Sequence, residues 1–397
     1  MKHVIFVDDE RRILEGLRRM LRPMRRHWCM DFAESGAEAL DLLDDRSYDL
    51  VVSDMRMPRM DGREFLVRCR REHPQADRYV LSGQMEPEDA LEAIRFAHQF
   101  LTKPCEASTI RTVLRRADDR RSRLPDAEFR IALGAIDTVP LTCDVFVEIE
   151  RLLSERDIDP ARVAVAVRTQ PLFVARLLQL VNSAFVGLPR PVLDVQEAIE
   201  AIGIRTLHHL VVDVGIVRVA APTAARHFRF EDHGRHSVLV GKVARAVVDD
   251  RSRAAEAFAA GLLHDVGRTL LAIHRPEAFD RCHEEALRTG RDTAAVEREI
   301  LRFDHARVGS YLLELWGLPA TVTEAVARHH DPDPPAQPSD PVVDAVRGAE
   351  ALIHDLLGPD SSYAPGRVRA VPPPEPARWE SWRRIATQIC DEETAHA

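Results

Sequence analysis

The sequence has few of the features that mark secreted or membrane-spanning proteins. Its six cysteines stand singly, without the paired spacing that indicates a disulfide framework or a zinc ribbon. No apolar run approaches the length of a membrane span. The strand-like run His3–Val7 follows the first residue almost directly, where a signal peptide would need a cationic and an apolar region. We therefore expect a cytoplasmic protein with no membrane partner.

Net positive charge is missing as well. The 397 residues carry a formal net charge of −9, and no basic recognition helix is visible in the second half. A DNA-binding transcription factor is therefore disfavoured, and we expect no nucleic-acid partner. What is present is an ordinary globular balance, with 45% hydrophobic and 30% charged residues in a chain long enough for two or three domains.

The first part of the chain, residues 1–122, alternates short apolar strands with amphipathic helices. The runs HVIFV at His3–Val7 and LVVS at Leu50–Ser53 are typical of strands that are buried on both faces. This alternation predicts an α/β domain with a flavodoxin-like, doubly wound parallel sheet of five strands. In such a sheet the functional groups gather outside the carboxyl ends of the strands.

Polar side chains follow four of the predicted strands at that edge. Asp8 and Asp9 follow the first strand, Asp54 the third, Ser82 the fourth and Lys103 the fifth. Three carboxylates at one edge would repel one another without a cation, so we predict a Mg²⁺ ion held by Asp8, Asp9 and Asp54. Lys103 and Ser82 then face a phosphoryl group that is transferred to a carboxylate nucleophile at this edge.

This set of residues resembles the receiver domain of two-component response regulators, over roughly residues 1–120. The run Asp54–Pro58, the pair Asp61–Gly62 and the aromatic Phe100 belong to the same pattern. The resemblance implies that Asp54 is the phosphoacceptor, that a sensor histidine kinase donates the phosphoryl group, and that Lys103 and Ser82 take part in catalysis. It also implies that Ser82 and Phe100 move together as a switch, and that the Lys103–Pro104 peptide bond is cis.

Helical patterns replace strands from about residue 130 to residue 355. Examples are Pro171–Asn182, Ala254–Leu263 and Ala320–Arg328, and together they predict an all-α domain. The predicted helix over Glu106–Arg123 could couple the two domains or pair with a second protomer, so a homodimer is a further expectation. Residues 356–397 form a Pro-rich tail. One docking helix in that tail could carry Trp379, Trp382, Ile385 and Ile389.

A series of histidines and acidic residues lies in or beside these apolar helices. Within this series, His236, His264 and Asp265 are the predicted ligands of a divalent transition metal. The predicted substrate side comprises His305, His329 and His330. A metal held there would activate water for attack on a phosphoester. The alternative, that these histidines cap helices or satisfy polar neighbours inside the fold, stays open.

The helical region also resembles the HDOD output domain, an HD-related module, over about residues 130–350. The segments LVNSAFVGLPR, IGIRTLHHL and HARVGSYLLELWGLP carry the resemblance. It implies signalling through contacts with an unknown downstream protein, often without hydrolysis. The similarity to HD hydrolases implies Glu350 as a further metal ligand, at a position where they usually have Asp. A second departure from them is that no Gly-Tyr-Pro segment follows His329–His330.

The sequence is compatible with two functions. The first is a phosphorelay response regulator that accepts a phosphoryl group on Asp54 and switches a helical domain that signals by protein contacts. The alternative is a phosphorylation-gated, metal-dependent phosphohydrolase acting on a nucleotide or cyclic dinucleotide. Whether the chain is an enzyme is open at this point.

Overall fold

The computed structural model describes residues 2–83, 91–183, 186–188, 190–219, 224–331, 340–358 and 376–396. The predicted helix Pro87–Ala97, the segment LVNSAFVGLPR and the loop Asp331–Pro341 lie partly outside these residues, and Pro372–Pro374 lies wholly outside them. The first elements in chain order are β1 (Lys2–Val7), α1 (Arg11–Met20), β2 (Trp28–Ala33), α2 (Gly36–Asp45), β3 (Leu50–Ser53), α3 (Gly62–Glu72), β4 (Asp77–Ser82), β5 (Gln99–Thr102) and α4 (Ala107–Arg123).

The five N-terminal strands form one parallel sheet in the order β2-β1-β3-β4-β5, which confirms the predicted topology. Helices α1 and α4 pack on one face through Leu17 and Leu114, whereas α2 and α3 pack on the other through Leu43 and Phe65. The strand order reverses between β1 and β3, so the loops after these two strands diverge and leave a crevice at their carboxyl ends.

The helical region begins three residues after α4. Its elements are α5 (Ala127–Gly134), β6 (Val139–Leu141), α6 (Cys143–Leu153), α7 (Pro160–Arg168), α8 (Pro171–Val181), α9 (Val195–Ile202), α10 (Ile204–His208), β7 (Val217–Val219), α11 (Phe230–Val247), α12 (Ala254–Leu263), α13 (Val266–His274), α14 (Pro276–Thr289), α15 (Thr293–Leu301), α16 (His305–Leu315), α17 (Ala320–Arg328), α18 (Pro341–Leu357) and α19 (Pro376–His396). The helix-rich class is confirmed. The short parallel pair β6–β7 was not predicted, because three residues are too few to show a strand periodicity.

Glycines allow the helices of this region to approach closely where their ends carry histidines. A Cβ on Gly261 of α12 would lie 2.8 Å from the Cα of Gly241 on α11. A Cβ on Gly267 of α13 would lie 1.9 Å from the carbonyl oxygen of His305, at the start of α16. These two close contacts bring the end of α12, the start of α13 and the start of α16 together in the interior.

The C-terminal helix α19 covers α11 and α18. Trp382 is buried against Gly348 of α18, where an added Cβ would lie 2.3 Å from the indole ring. Ala386 is also buried, and Trp379, Ile385 and Ile389 are partly buried against the same core. The residues named for a docking helix therefore do lie on one helix that packs on the domain. Within the described part of the chain, no helix is long and apolar enough to cross a lipid bilayer.

The two halves of the chain are joined by hydrogen bonds that end on backbone oxygens. His98, in front of β5, donates from Nε2 to the carbonyl oxygen of Gly134 at 2.9 Å, and the Arg78 guanidinium donates to the same oxygen at 2.5 Å. In the other direction, the Gln179 side chain donates to the carbonyl oxygen of His98 at 2.8 Å. His98, Arg78 and Gln179 are all buried. The contact between the halves is therefore an internal surface with its own polar network.

Candidate functional site

Three predicted residues meet at the carboxyl ends of β1, β3 and β5. The Lys103 ammonium lies 2.6 Å from Oδ2 of Asp8 and 3.0 Å from Oδ1 of Asp54. Asp8, Asp9 and Asp54 each offer an oxygen, and these oxygens lie within 4.8 Å of one another. Asp8 and Asp54 are buried and Asp9 is exposed, so the group faces solvent from one side. The peptide bond Lys103–Pro104 is cis, as the receiver resemblance implied.

This acidic group has the oxygen ligands that suit a hard cation such as Mg²⁺, with room left for water or a phosphoryl oxygen. A cleft of about 540 Å³ opens beside it, lined by Asp9, the loop residues Arg56–Pro58 and Ser82. The three carboxylates and one lysine leave a net negative charge at the bottom of the cleft. A divalent cation would offset that charge, and the residues present therefore fit the ion.

The protonation behaviour of Asp54 and Lys103 follows from their burial and their contact. Burial raises the pKa of the Asp54 carboxyl, and the Lys103 ammonium beside it acts in the opposite direction. Burial lowers the pKa of Lys103, but its hydrogen bonds to Asp8 and Asp54 outweigh this and raise that pKa overall. Lys103 therefore stays charged, which suits a group that faces phosphoryl oxygens.

The two predicted switch residues lie on neighbouring strands. Ser82 ends β4 opposite Thr102 of β5, and its carbonyl oxygen accepts a hydrogen bond from the backbone nitrogen of Lys103 at 2.8 Å. Phe100 of β5 is buried in the same cluster as Met55 and Val80. Ser82 thus lies one strand away from β3, which carries Asp54 at its end, and Phe100 lies two strands away. Their movement stays a prediction.

A first group of metal-binding side chains lies inside the helical region. Its members are His236, His264, Asp265 and Glu350, all buried, with ligand atoms within 4.8 Å of one another. Oε2 of Glu350 lies 2.8 Å from Nε2 of His236 and 3.0 Å from Nε2 of His264. The glutamate therefore reaches the position that the sequence assigned to it, in spite of its longer side chain.

A second group shares Asp265 with the first. Its members are Asp265, His305, His329 and His330, again with ligand atoms within 4.8 Å of one another. Oδ1 of Asp265 lies 3.0 Å from Nε2 of His305 and 3.5 Å from Nε2 of His329. The three residues predicted for the substrate side thus form a ligand set of their own, and one carboxylate lies between the two sets. Their role as ligands or as substrate contacts stays a proposal.

Three of these imidazoles are held so that Nε2 faces the group. Nδ1 of His264 lies 2.7 Å from the carbonyl oxygen of Gly261, and Nδ1 of His329 lies 2.7 Å from that of Val326. A carbonyl oxygen only accepts, so Nδ1 is the donor in each case and Nε2 of the neutral ring offers its lone pair. Such an outer hydrogen bond is what metal-ligating histidines usually have.

The third imidazole, His305, has a buried carboxylate as its outer partner. Oε2 of Glu297 lies 2.6 Å from its Nδ1 and accepts from its backbone nitrogen at 2.8 Å. Glu297 is 1% exposed and lies on α15. Glu297 was not among the predicted site residues, although an acidic residue on the apolar side of an amphipathic helix was a signal for it.

The charges of the two groups balance through protonated imidazoles. Burial raises the pKa of Asp265 and of Glu350, but the neighbouring histidines outweigh it and hold both pKa values well below the usual range. Burial likewise lowers the pKa of His264 and of His305, yet their carboxylate partners raise both pKa values overall. Imidazole and carboxylate are the ligands of Zn²⁺ and similar ions, so the residues fit a transition metal, whose binding would release these protons.

Two domain families match the chain. Residues 4–115 match the response regulator receiver domain, and residues 139–332 match the HDOD domain.

Individual relatives match shorter parts. An uncharacterised protein of Treponema pallidum is 25% identical over 56% of this chain and 44% of its own length. The transcriptional regulatory protein GlrR of Escherichia coli is 29% identical over 39% of this chain and 34% of its own length. The chain thus spans less than half the length of these curated relatives. Among solved structures, the MmoQ response regulator of Methylococcus capsulatus is 21% identical over 63% of this chain and 94% of that chain, with a TM-score of 0.48.

Proposed function

Because this chain joins a response regulator receiver domain to an HDOD domain, we propose that it is the response regulator of a two-component phosphorelay. It accepts a phosphoryl group on Asp54 from a sensor histidine kinase, and this modification switches the helical domain. The switched domain signals through contact with a downstream protein. The observation that supports the proposal best is the contact of one lysine, Lys103, with both Asp8 and Asp54 at the strand ends.

The phosphoryl step uses the residues of this edge in distinct roles. A carboxylate oxygen of Asp54 attacks the phosphorus of the kinase phosphohistidine; the new P–O bond forms and the P–N bond breaks, with the electron pair going to the imidazole nitrogen. Lys103 offsets the charge of the phosphoryl oxygens, and the Ser82 hydroxyl donates to one of them. Mg²⁺ held by Asp8, Asp9 and Asp54 would neutralise further negative charge.

Phosphoryl labelling of the full chain tests this proposal. Incubation with Mg²⁺ and radiolabelled acetyl phosphate should label the parent protein and leave Asp54→Asn without label. The exposed Asp41 on α2 gives a matched control, because Asp41→Asn removes a carboxylate far from the strand ends. Label that persists in Asp54→Asn would contradict the assignment of the phosphoacceptor.

A second candidate function is favoured by the two ligand sets that share Asp265. We propose that the helical domain binds one transition-metal ion with His236, His264, Asp265 and Glu350, and another with Asp265, His305, His329 and His330. Such ions supply an activated water for attack on phosphorus. The substrate class would be a nucleotide or cyclic dinucleotide, in which water adds to phosphorus and the P–O bond to the leaving alcohol breaks.

Metal content and hydrolysis of the full chain test the second candidate together. The parent, dialysed against Zn²⁺ with excess Mg²⁺, should retain zinc and hydrolyse at least one member of a cyclic-dinucleotide panel. His264→Ala should lose both properties, whereas His208→Ala, an exposed histidine on α10, should keep them. Zinc without hydrolysis would leave the domain as a metal-stabilised signalling module, and equal turnover in His264→Ala would rule out the hydrolase.

Two further expectations remain predictions. A homodimer that pairs through α4 can be measured by sedimentation of the full chain with and without a phosphoryl donor. Cytoplasmic location can be measured by fractionation of cells that express the protein.

A further inference from the structure

Helix α16 has one end at the receiver domain and the other at the second histidine group. We infer that α16 is the element through which the receiver domain acts on this group, so that phosphorylation of Asp54 changes metal binding at His305, His329 and His330. The inference rests on the metal-binding function proposed above and concerns its regulation. It depends on the contacts at each end of the helix and on what holds the helix between them.

The receiver domain holds the C-terminal end of α16. Gln99, the first residue of β5, donates from Nε2 to the carbonyl oxygens of Glu314 at 2.9 Å and Leu315 at 3.2 Å. Carbonyl groups at a helix C-terminus lack partners within the helix, so these hydrogen bonds are also a C-terminal cap. The Arg123 guanidinium of α4 lies 2.5 Å from the Glu314 carboxylate. Two receiver elements, β5 and α4, therefore fix this end.

The N-terminal end of α16 carries the metal ligand. His305 is the first residue of the helix, and Nε2 of its ring lies 3.0 Å from Oδ1 of Asp265. Glu297 holds both its backbone nitrogen and its Nδ1. Because the ring is fixed to the first turn in this way, a shift of the helix moves Nε2 relative to Asp265 and His329.

The helix between these ends is a rigid body that has little room to move sideways. Eleven residues at 1.5 Å each make a helix of about 16 Å. Along this length α16 packs against α13 so closely that a Cβ on Gly267 would meet the His305 carbonyl oxygen and the Gly309 nitrogen. Displacement of the C-terminal end is thus transmitted to the N-terminal end more readily than it is absorbed by bending.

Strand β5 connects the phosphorylation site to the held end. Lys103, which contacts Asp54 at 3.0 Å, follows the strand directly, and Gln99 begins it. Four residues of extended chain span about 13 Å. Phe100, the predicted switch aromatic, is the immediate neighbour of Gln99 on this strand. A change in β5 on phosphorylation therefore reaches the α16 cap without passing through a loop.

The energetic consequence is reciprocal. If phosphorylation changes the affinity of the second group for metal by some factor, metal binding changes the affinity of the receiver for a phosphoryl group by the same factor. Couplings of this kind usually amount to roughly 5-fold to 150-fold. A contiguous set of contacts does not prove coupling, so the contact itself has to be removed and the coupling measured.

The experiment compares zinc affinity with and without beryllofluoride, a phosphoryl mimic that binds the receiver aspartate with Mg²⁺. Full-length protein in excess Mg²⁺ is titrated with Zn²⁺ against a chromophoric chelator. In the parent, beryllofluoride should change the affinity for one zinc equivalent at least about 5-fold. That equivalent should be the one that His329→Ala loses.

The double variant Gln99→Ala/Arg123→Ala decides the matter, because both side chains hold the C-terminal end of α16. It removes both receiver contacts but no metal ligand, so zinc should still bind while the effect of beryllofluoride falls below about 2-fold. Gln388→Ala on α19, whose exposed side chain donates to Glu392 of the same helix at 2.8 Å, should keep the full effect. A full effect in Gln99→Ala/Arg123→Ala, or zinc binding without any effect in the parent, would overturn the coupling.

Hydrogen exchange separates failure of the coupling from failure of metal binding. If the parent binds no zinc, the metal-binding proposal fails, and the amide exchange of Asp304–Leu315 still reports whether the receiver acts on α16. Beryllofluoride should alter that exchange in the parent and not in Gln99→Ala/Arg123→Ala. Unaltered exchange in the parent would overturn the role of α16 whatever the metal content.

Discussion

The stability of the contact between the two halves should depend on the protonation of His98. Its Nδ1 accepts from the backbone nitrogen of Arg78 at 3.0 Å, so Nε2 carries the hydrogen that is donated to Gly134. Burial, together with the charged Arg78 guanidinium, lowers the pKa of His98 well below its ordinary value. The folded protein therefore keeps this ring neutral under conditions in which the unfolded chain protonates it.

The size of the effect follows from the unfolded pKa of about 6.5. Because the folded pKa is lower, the unfolded state binds the extra proton, so this stability is complete above about pH 6.5 and is lost as the pH falls. Between about pH 7.5 and about pH 5.5 the loss amounts to about 1.4 kcal/mol for one histidine that stays neutral in the fold.

His98→Gln isolates this contribution from that of other buried histidines. The glutamine amide can still donate to the Gly134 carbonyl, but the acceptor for Arg78 is lost, which costs about 1 kcal/mol near pH 7.5. Near pH 5.5 the parent has lost about 1.4 kcal/mol of its free energy of unfolding, because its unfolded chain protonates His98, and the variant has not. The order of stability should therefore reverse, with the variant ahead by about 0.4 kcal/mol.

Urea unfolding followed by circular dichroism at the two pH values provides the measurement. His208→Gln is the matched control, since His208 is exposed and its replacement should leave the pH dependence of the parent unchanged. A difference between parent and His98→Gln that is the same at both pH values would refute the assignment of a neutral, pH-sensitive His98.

Three further predictions concern the metal groups and the packing. Elemental analysis after dialysis should show that His236→Ala and His329→Ala each lose one of two zinc equivalents. Asp265→Ala should lose both. Equal losses of zinc in all three variants would contradict two ligand sets that share Asp265. Gly267→Ala should destabilise the fold by about 1–3 kcal/mol in thermal unfolding, through overpacking against α16. Gly16→Ala on α1, with no heavy atom near the added Cβ, should instead stabilise the fold by about 0.4–1 kcal/mol. A loss of stability in Gly16→Ala as large as that in Gly267→Ala would contradict the packing. Trp382→Ala should lower the free energy of unfolding by about 3–5 kcal/mol. Trp379→Ala should lower it by less, because that ring is only partly buried. Equal losses in the two variants would contradict the docking of α19.

The α/β half was predictable because its signals are local. Runs such as HVIFV and LVVS are long enough to predict buried strands, and a parallel sheet then places whatever follows the strands at one edge. Asp8, Asp54 and Lys103 meet for that reason alone. The fold therefore follows from periodicity, and the site follows from the fold.

The helical half was predictable in class and in ligand types, but not in the partition of the ligands. A helical pattern does not define which helix ends meet, so the sharing of Asp265 between two sets was not foreseen. Glu297 looked like one more acid on an amphipathic helix. Its contact with His305 depends on how α15 turns into α16, which no local pattern encodes. The bond from Gln99 to Glu314 joins residues 215 positions apart, beyond the reach of any periodicity.

The hydrogen bonds that join the halves have a consequence for comparisons among homologues. The side chains of His98, Gln179 and Gln99 all end on main-chain oxygens, which every residue type provides. Substitution at Leu315 therefore imposes no compensating change on Gln99 through this hydrogen bond, and the two positions are free to drift independently. Statistical covariation would pass over these hydrogen bonds even where evolution has kept them, whereas a side-chain pair across the same interface, such as Arg123 with Glu314, could be detected by it.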